Sequence, residues 1–360
     1  MQRSIRWTAP LAAAACAVGL VATAGGAGAA TSDPLRPDLW GLDQINAEES
    51  WGATTGEGAT VAVVDTGVDL GHPDLAGQLV PGATFVCEEG HEGSCGDGGW
   101  KGVDGVGQDV DSHGTHVAGT VAAVADNGIG VAGVAPDANI MPIKVLEDGS
   151  GTNADIAEGI RWAADNGADV INLSLGSLPG LQLIGALGLD TTTIDAIQYA
   201  RDKGALTVAA AGNSSTLLCN DPAFNSDSIC VGATDRDEMK AYYSETPIKL
   251  SGKAVAAPGG AGSPLGGPCE DDIISTVPRG TGTAECGGAD YDAYAGTSMA
   301  TPHVAGVAAL LYGQGRPMVG VEDAILTTAR HPVLGTRGGS SLMYGKGIVD
   351  AQAATATPVS

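Results

Sequence analysis

The run Val61-Ala62-Val63-Val64 is apolar throughout and stops at Asp65-Thr66-Gly67. Alternating polar residues would mark a strand with one wet face. A short unbroken apolar run closed by a turn marks a strand covered on both faces. A chain containing such a strand needs helices on two sides of a sheet. The pattern returns at 139–146, 168–176 and 206–213. Helical patterns lie between, over about 153–166 and 192–203, the second closed by Gly204. The expected fold class is therefore α/β, three-layer, with a mainly parallel β-sheet flanked by helices on both faces. A length of 360 residues accommodates one large domain of this kind.

Open sheets of this type build their sites at the C-terminal ends of the strands, where Asp65 falls. A second stretch, Asp111-Ser112-His113-Gly114-Thr115-His116-Val117-Ala118-Gly119-Thr120, puts His113 at the start of a small-residue helix. A third, Gly296-Thr297-Ser298-Met299-Ala300-Thr301-Pro302-His303-Val304-Ala305-Gly306, runs from a glycine turn into helical sequence reaching about Leu311. Ser298 thus stands at a helix N-terminus, where free N–H groups and the helix dipole stabilise developing negative charge. A serine hydroxyl becomes a nucleophile when a base takes its proton and a third group orients that base. Asp65, His113 and Ser298 supply those parts in the order acid, base, nucleophile.

On these three motifs the chain resembles the subtilisin-like serine proteases (subtilases), from about Trp40 to Ala354. The resemblance implies an endopeptidase that hydrolyses peptide bonds in proteins through an acyl-enzyme. It assigns Asn213, at the end of the 206–213 strand, to the oxyanion beside the Ser298 N–H. It implies a substrate backbone sandwiched between Gly149-Ser150-Gly151 and Ser174-Leu175-Gly176, with Leu146 lining the second pocket and Ala210 and Gly212 beside the cleaved bond. The loop 214–225 forms the first specificity pocket, with a cis peptide before Pro222. Asp221 there either favours a basic residue at the cleaved bond or points outward in a turn. Family members bind a structural Ca²⁺, and the matching positions are Asp74, Asn127, Ile129 and Val131; the family's N-terminal glutamine ligand is not evident. No catalytic cofactor is implied. His116 and His303 read as packed histidines. The His-x-x-His spacing at 113–116 lacks the intervening Glu and third ligand of a zinc site.

Residues 1–30 read as a secretory signal peptide: Arg3 and Arg6, an apolar stretch from Leu11 to Ala24, then Ala27-Gly28-Ala29. Residues 31–39 form a short lead and 40–360 the catalytic domain, with no further domain expected after the closing Gly345–Ala351 segment. The lead leaves no room for the pro-domain that secreted subtilases usually carry. A secreted, extracellular protein follows, with no membrane association after signal removal. The formal net charge of −25 excludes nucleic acid as a partner, since phosphates would be repelled. Protein or peptide substrates and a monomeric state are expected. Beyond Cys16 the chain carries Cys87, Cys95, Cys219, Cys230, Cys269 and Cys286. Many connectivities can join them, and their grouping into sequence-local couples favours 87–95, 219–230 and 269–286.

Two insertions stand out, an acidic one over 85–109 and an aliphatic one over 177–190. The first reads as a solvated clipped loop or a lid, the second as a satellite core or an apolar patch. Two rival functions differ in chemistry. A lipase or esterase requires Gly-x-Ser-x-Gly and the order Ser, Asp, His, whereas residue 300 here is Ala. A binding protein that keeps the scaffold without turnover is opposed by the filled catalytic positions.

Overall fold

The structure is a computed structural model that describes residues 31–86, 108–109, 111–176, 191–263 and 269–359. The expected signal peptide, Cys87 and Cys95, most of the acidic insertion and the 177–190 insertion lie outside these residues.

The central sheet is built from β1 (Thr60–Asp65), β2 (Ala83–Thr84), β3 (Asn139–Lys144), β4 (Val170–Leu173), β5 (Leu206–Ala210), β6 (Ile229–Thr234) and β7 (Ala254–Pro258). Their order is β2-β3-β1-β4-β5-β6-β7, and every neighbouring pair is parallel. Helices are α1 (Trp40–Gln44), α2 (His113–Ala122), α3 (Asn153–Asp165), α4 (Thr192–Asp202), α5 (Thr297–Gly313), α6 (Met318–Thr328) and α7 (Ala351–Thr355). Strands β8 (Ile273–Thr276) and β9 (Tyr291–Tyr294) form an antiparallel pair of their own.

β1 shows why the fold has three layers. Its Val61 and Val63 join one core with Val117 and Val121 of α2 and Val304 and Val307 of α5. Its Ala62 and Val64 join the other with Ile156 and Ile160 of α3 and Ile197 of α4. The unbroken apolar run is therefore the signature of a strand packed from both sides. Helix α5 is buried from Met299 to Leu311, as an all-round apolar helix must be.

The chain moves from β1 to β3 on one side and then back to β4 on the other. This reversal opens a crevice at the C-terminal end of β1, where Asp65 sits. One helix differs from the sequence reading, which places it at 322–330. It begins at Met318, directly after Pro317, whose fixed φ suits a helix start, and it ends before Arg330, which bridges to Ile348 instead.

Candidate active site

Asp65 closes β1 and is fully buried. His113 is the first residue of α2, and its side chain keeps 32% exposure. The Nδ1–H of His113 donates to Asp65 Oδ1 at 2.7 Å, and the Thr66 N–H reaches the same oxygen at 2.8 Å. Because Nδ1 holds the proton, Nε2 is left as the basic nitrogen. Burial pushes the ring's pKa down, but the charges of Asp65, Asp109 and Asp111 outweigh it and raise it above the ordinary imidazole value. Asp65 and His113 are close because α2 lies hard against the turn after β1. A Cβ on Gly114 would stand 2.0 Å from the Gly67 carbonyl oxygen, so only glycine allows this approach.

Ser298 is the second residue of α5, the helix that packs beside α2. Its hydroxyl donates to the Ser174 carbonyl at 3.2 Å rather than to His113. Catalytic hydrogen bonds of this kind commonly form only when substrate arrives. Ser174 also grips the main chain at this position, donating its own hydroxyl to the Ser298 carbonyl at 2.8 Å. That carbonyl has no partner four residues on, because residue 302 is proline and carries no N–H. Asn172 Nδ2 donates in turn to Ser174 Oγ at 2.9 Å.

Asn213 is oriented by Thr297. The Thr297 N–H and hydroxyl both donate to Asn213 Oδ1 at 2.9 Å, which fixes the amide with Nδ2 free to face the site. The point a Cβ on Gly296 would occupy lies 3.4 Å from Asn213 Nδ2 and 3.6 Å from the Ser298 nitrogen. Both nitrogens thus lie close to one small space that glycine leaves open. The Ser298 N–H, in the first turn of its helix, has no intrahelical acceptor and is free to serve there.

The two segments that the resemblance assigns to the substrate groove adjoin these residues, Leu146 bonding the Asp65 carbonyl and Ser174 the Ser298 carbonyl. Leu146 is buried behind β3, and Glu147 and Ser150 close a tight turn with paired 2.9 Å bonds. Within the turn Asp148 and Gly149 have positive φ. The Gly151 backbone lies against the Val145 carbonyl. Ser174, Leu175 and Gly176 continue β4, and the space above Gly176 faces the Asp221 carbonyl. Ala210 ends β5, and the Gly212 N–H donates to Thr297 Oγ1 at 3.1 Å. The Asp221–Pro222 peptide is cis, as expected. The Asp221 carboxylate accepts from the Asn225 N–H at 3.1 Å and from Asn225 Nδ2 at 2.9 and 2.8 Å, which favours the turn reading over a cation-binding one.

Sequence reasoning passed over Glu245. It is fully buried and accepts from Ser214 N, Thr216 N and Asn220 Nδ2, holding the 214–220 loop together. Nothing in its neighbourhood of sequence marks it; its partners lie 25 to 31 residues away. Cys219 pairs with Cys230 and Cys269 with Cys286, while the 87–95 pairing falls outside the described residues. His116 and His303 are buried and bonded to the Ile273 and Met299 carbonyls, at 2.8 Å each. Burial lowers them to about 3 and about 4, so both stay neutral.

Asp74 lies fully buried beside the 126–131 loop. It accepts from Asn127 Nδ2 at 2.6 Å and from the Val131 N–H at 3.0 Å, while the Ile129 N–H bonds Asn127 Oδ1 at 2.9 Å. Burial pushes the Asp74 carboxyl upward against these donors. An acidic partner that the sequence did not reveal comes from the N-terminal lead. Asp33 accepts from the Asp126 N–H at 2.8 Å and the Gly128 N–H at 3.0 Å. Two buried carboxylates are hard oxygen donors of the kind Ca²⁺ takes, and the Asn127 amide would join them once it turned its oxygen toward Asp74. No cluster of three or more His, Cys, Asp or Glu able to hold a metal occurs among the described residues.

Comparison with known proteins gives a consistent picture. Residues 56–347 match the model of the Subtilase family. The chain is 41% identical to thermitase of Thermoactinomyces vulgaris over 291 residues, 81% of this chain and 88% of that one. It is 38% identical to subtilisin BL of Lederbergia lenta over 321 residues, 88% of this chain and 98% of that one. Among solved structures, a protease of Pseudoalteromonas arctica PAMC 21717 superposes with a TM-score of 0.73 at 34% identity, covering 91% of this chain and 99% of that one. Fervidolysin of Fervidobacterium pennivorans, a keratinolytic enzyme, gives 0.68 at 31% identity, over 95% of this chain and 48% of that one.

Proposed function

The chain belongs to the subtilase family and is a serine endopeptidase, and on that premise we propose that Asp65, His113 and Ser298 are its catalytic triad. His113 Nε2 takes the Ser298 proton as the hydroxyl swings from the Ser174 carbonyl and attacks the peptide carbonyl. Asp65 holds the imidazole in the required tautomer and stabilises its cation. Asn213 Nδ2 and the Ser298 N–H receive the oxyanion. His113 then gives the proton to the leaving amine, and water hydrolyses the acyl-enzyme by the same route. The observation that carries this reading is the proximity of Asn213 Nδ2 and the Ser298 nitrogen to one open point above Gly296, together with the hydrogen bond between His113 and the buried Asp65.

The same reading places substrate between the 149–151 and 174–176 edges, with Leu146, Ala210 and Gly212 lining the groove. Asp221 is a turn residue, so no preference for basic residues is expected at the cleaved bond. Ca²⁺ would be held by Asp74, Asn127, the Ile129 and Val131 carbonyls, and Asp33. There it would offset carboxylate repulsion and fasten the lead to the domain. The protein acts outside the cell as a monomer, after loss of residues 1–30; among the described residues no helix is long and apolar enough to cross a membrane.

The deciding experiment compares wild type with Ser298→Ala on casein and on peptide amides bearing aromatic, aliphatic, basic or acidic residues before the scissile bond. Cleavage by wild type alone, with stoichiometric labelling of wild type by a fluorophosphonate, is expected. A folded wild type that neither cleaves nor takes up the label would refute the triad.

A further inference from the structure

We propose that Asp109 is a positioning residue for the acid–base pair, its buried carboxylate tying the chain just after Asp65 to the chain on both sides of His113. The inference rests on the reading of Asp65 and His113 as acid and base.

Asp109 lies just before α2 and is only 2% exposed. Its Oδ1 accepts from the Thr66 hydroxyl at 2.9 Å, the Asp111 N–H at 2.9 Å and the Ser112 N–H at 3.1 Å. Its Oδ2 accepts from the Thr115 N–H at 2.9 Å and the Thr115 hydroxyl at 2.6 Å. Every partner donates, which suits a carboxylate and nothing else of that size. Thr66 follows Asp65 directly; Ser112 and Thr115 flank His113. The Thr66 hydroxyl accepts from the Gly114 N–H at 2.9 Å, and the Thr115 hydroxyl from the Asp69 N–H at 2.9 Å. The end of β1 and the start of α2 are thereby laced through one side chain.

The helix needs this outside help. A helix start leaves N–H groups without partners, and the residue before the first turn commonly supplies the acceptor. Ser112 occupies that place with φ 85° and makes no such bond. Its hydroxyl pairs with the Tyr294 hydroxyl at 2.8 Å instead. Asp109 takes over the cap and adds Thr66 to it. If the cap is lost, α2 is less firmly held against the β1 turn, and the 2.7 Å His113–Asp65 bond is one of the contacts across that joint.

Asp109 also contributes charge. The carboxylates whose charge acts most on the His113 ring are Asp65 from β1 and Asp109 and Asp111 from the lead into α2. Asp111 accepts from the Asp148 N–H of the groove turn. Lys144 of β3 donates to the Thr66 carbonyl on the far side of the bracket. His116, one turn along α2, stays neutral and adds no charge at working pH.

The test uses Asp109→Asn, Thr66→Val and Thr66→Ser in the full chain, with active sites titrated by fluorophosphonate. The readouts are kcat, KM, the pH profile of kcat/KM and the low-field proton resonance of the His113 Nδ1–H. Asp109→Asn should lower kcat per titrated site about tenfold with KM little changed, since positioning acts on the transition state. It should also move the acid limb to lower pH, because a negative neighbour of the imidazolium is gone. Thr66→Val keeps the charge, so it should lower kcat and weaken the low-field resonance while leaving the acid limb in place. Thr66→Ser should restore both. A purely structural cap would reduce melting temperature and the number of titratable sites, but not kcat per site or the acid limb. Wild-type kcat per site and an unmoved acid limb in folded Asp109→Asn and Thr66→Val would overturn the proposal. Should Asp109→Asn fail to fold, Thr66→Val decides. Failure of the triad reading itself looks different, because wild type would then not take up the label at all.

Discussion

On the proposed triad, His113 is the side chain through which pH reaches the chemistry. Its ring must be neutral to accept the Ser298 proton, and the surrounding carboxylates hold its pKa above the ordinary imidazole value. The imidazolium therefore persists to higher pH than in a free peptide, and kcat/KM should fall as pH drops through a midpoint above about 6.5. The pair's contribution to stability runs the other way. A raised folded pKa stabilises fully below the unfolded value and is lost as pH rises through the folded one. His116 and His303, at about 3 and about 4, add nothing to this limb. Asp65→Asn should move the limb down and lower kcat by roughly 10⁴-fold, because the ring loses both its tautomer lock and its counter-charge. A pH–rate profile of both proteins checks this. A wild-type midpoint at or below the ordinary value, or the same midpoint in both, would contradict the assignment of His113 as the base.

Helix α5 and strand β4 meet through a hydrogen bond whose cause lies in the sequence. Pro302 takes away the donor that the Ser298 carbonyl would have found inside the helix, and the Ser174 hydroxyl replaces it at 2.8 Å. Ser174→Ala should thus free the first turn of α5, at a cost of about 1 kcal/mol in stability, and lower kcat more than it raises KM. In a Pro302→Ala background the carbonyl regains an N–H from residue 302, and the same Ser174→Ala change should cost less. A double-mutant cycle on stability and kcat measures the coupling, expected at about 0.5–3 kcal/mol; simple additivity would mean that the two residues do not serve one carbonyl. This joint also shows what a sequence discloses. The strand runs, the three motifs and the proline itself were legible, because each is encoded within a few neighbouring residues. The recipients of the bonds were not. Glu245 holds a loop 25 to 31 residues upstream, Asp33 reaches a turn 93 to 95 residues on, and Asp109 looked like the tail of an insertion until its five donors were in place. The start of α6 at Met318 lies four residues before the stretch that reads as helical in the sequence, directly after the extended Pro317.

The lead and the domain are joined where the chain's acidity is hardest to accommodate. Thr31 donates its N–H to Glu48 Oε1 at 2.9 Å, Ser32 to Asp126 Oδ1 at 2.8 Å, and Leu35 to the Gly130 carbonyl at 2.9 Å. Asp33 and Asp74 approach the same loop, and the chain as a whole carries a formal charge of −25. Gathering carboxylates in a protein already this acidic is unfavourable without a cation, and burial has already raised Asp74. A Ca²⁺ ion there would bind the folded chain only, since residues so far apart come together nowhere else. At a hundredfold excess over its dissociation constant it would add about 2.7 kcal/mol, or several degrees in melting temperature for a domain of this size. Calorimetry in calcium against EDTA should show that gain. Asp33→Ala and Asp74→Asn should each remove most of it, while leaving kcat of the folded enzyme near wild type at low temperature. Binding needs the ionised Asp74, so the gain should also begin to shrink as pH falls through the Asp74 pKa, which burial holds above the ordinary aspartate value. Equal melting temperatures with and without calcium at neutral pH would mean that the hydrogen bonds of the lead fasten it without a cation.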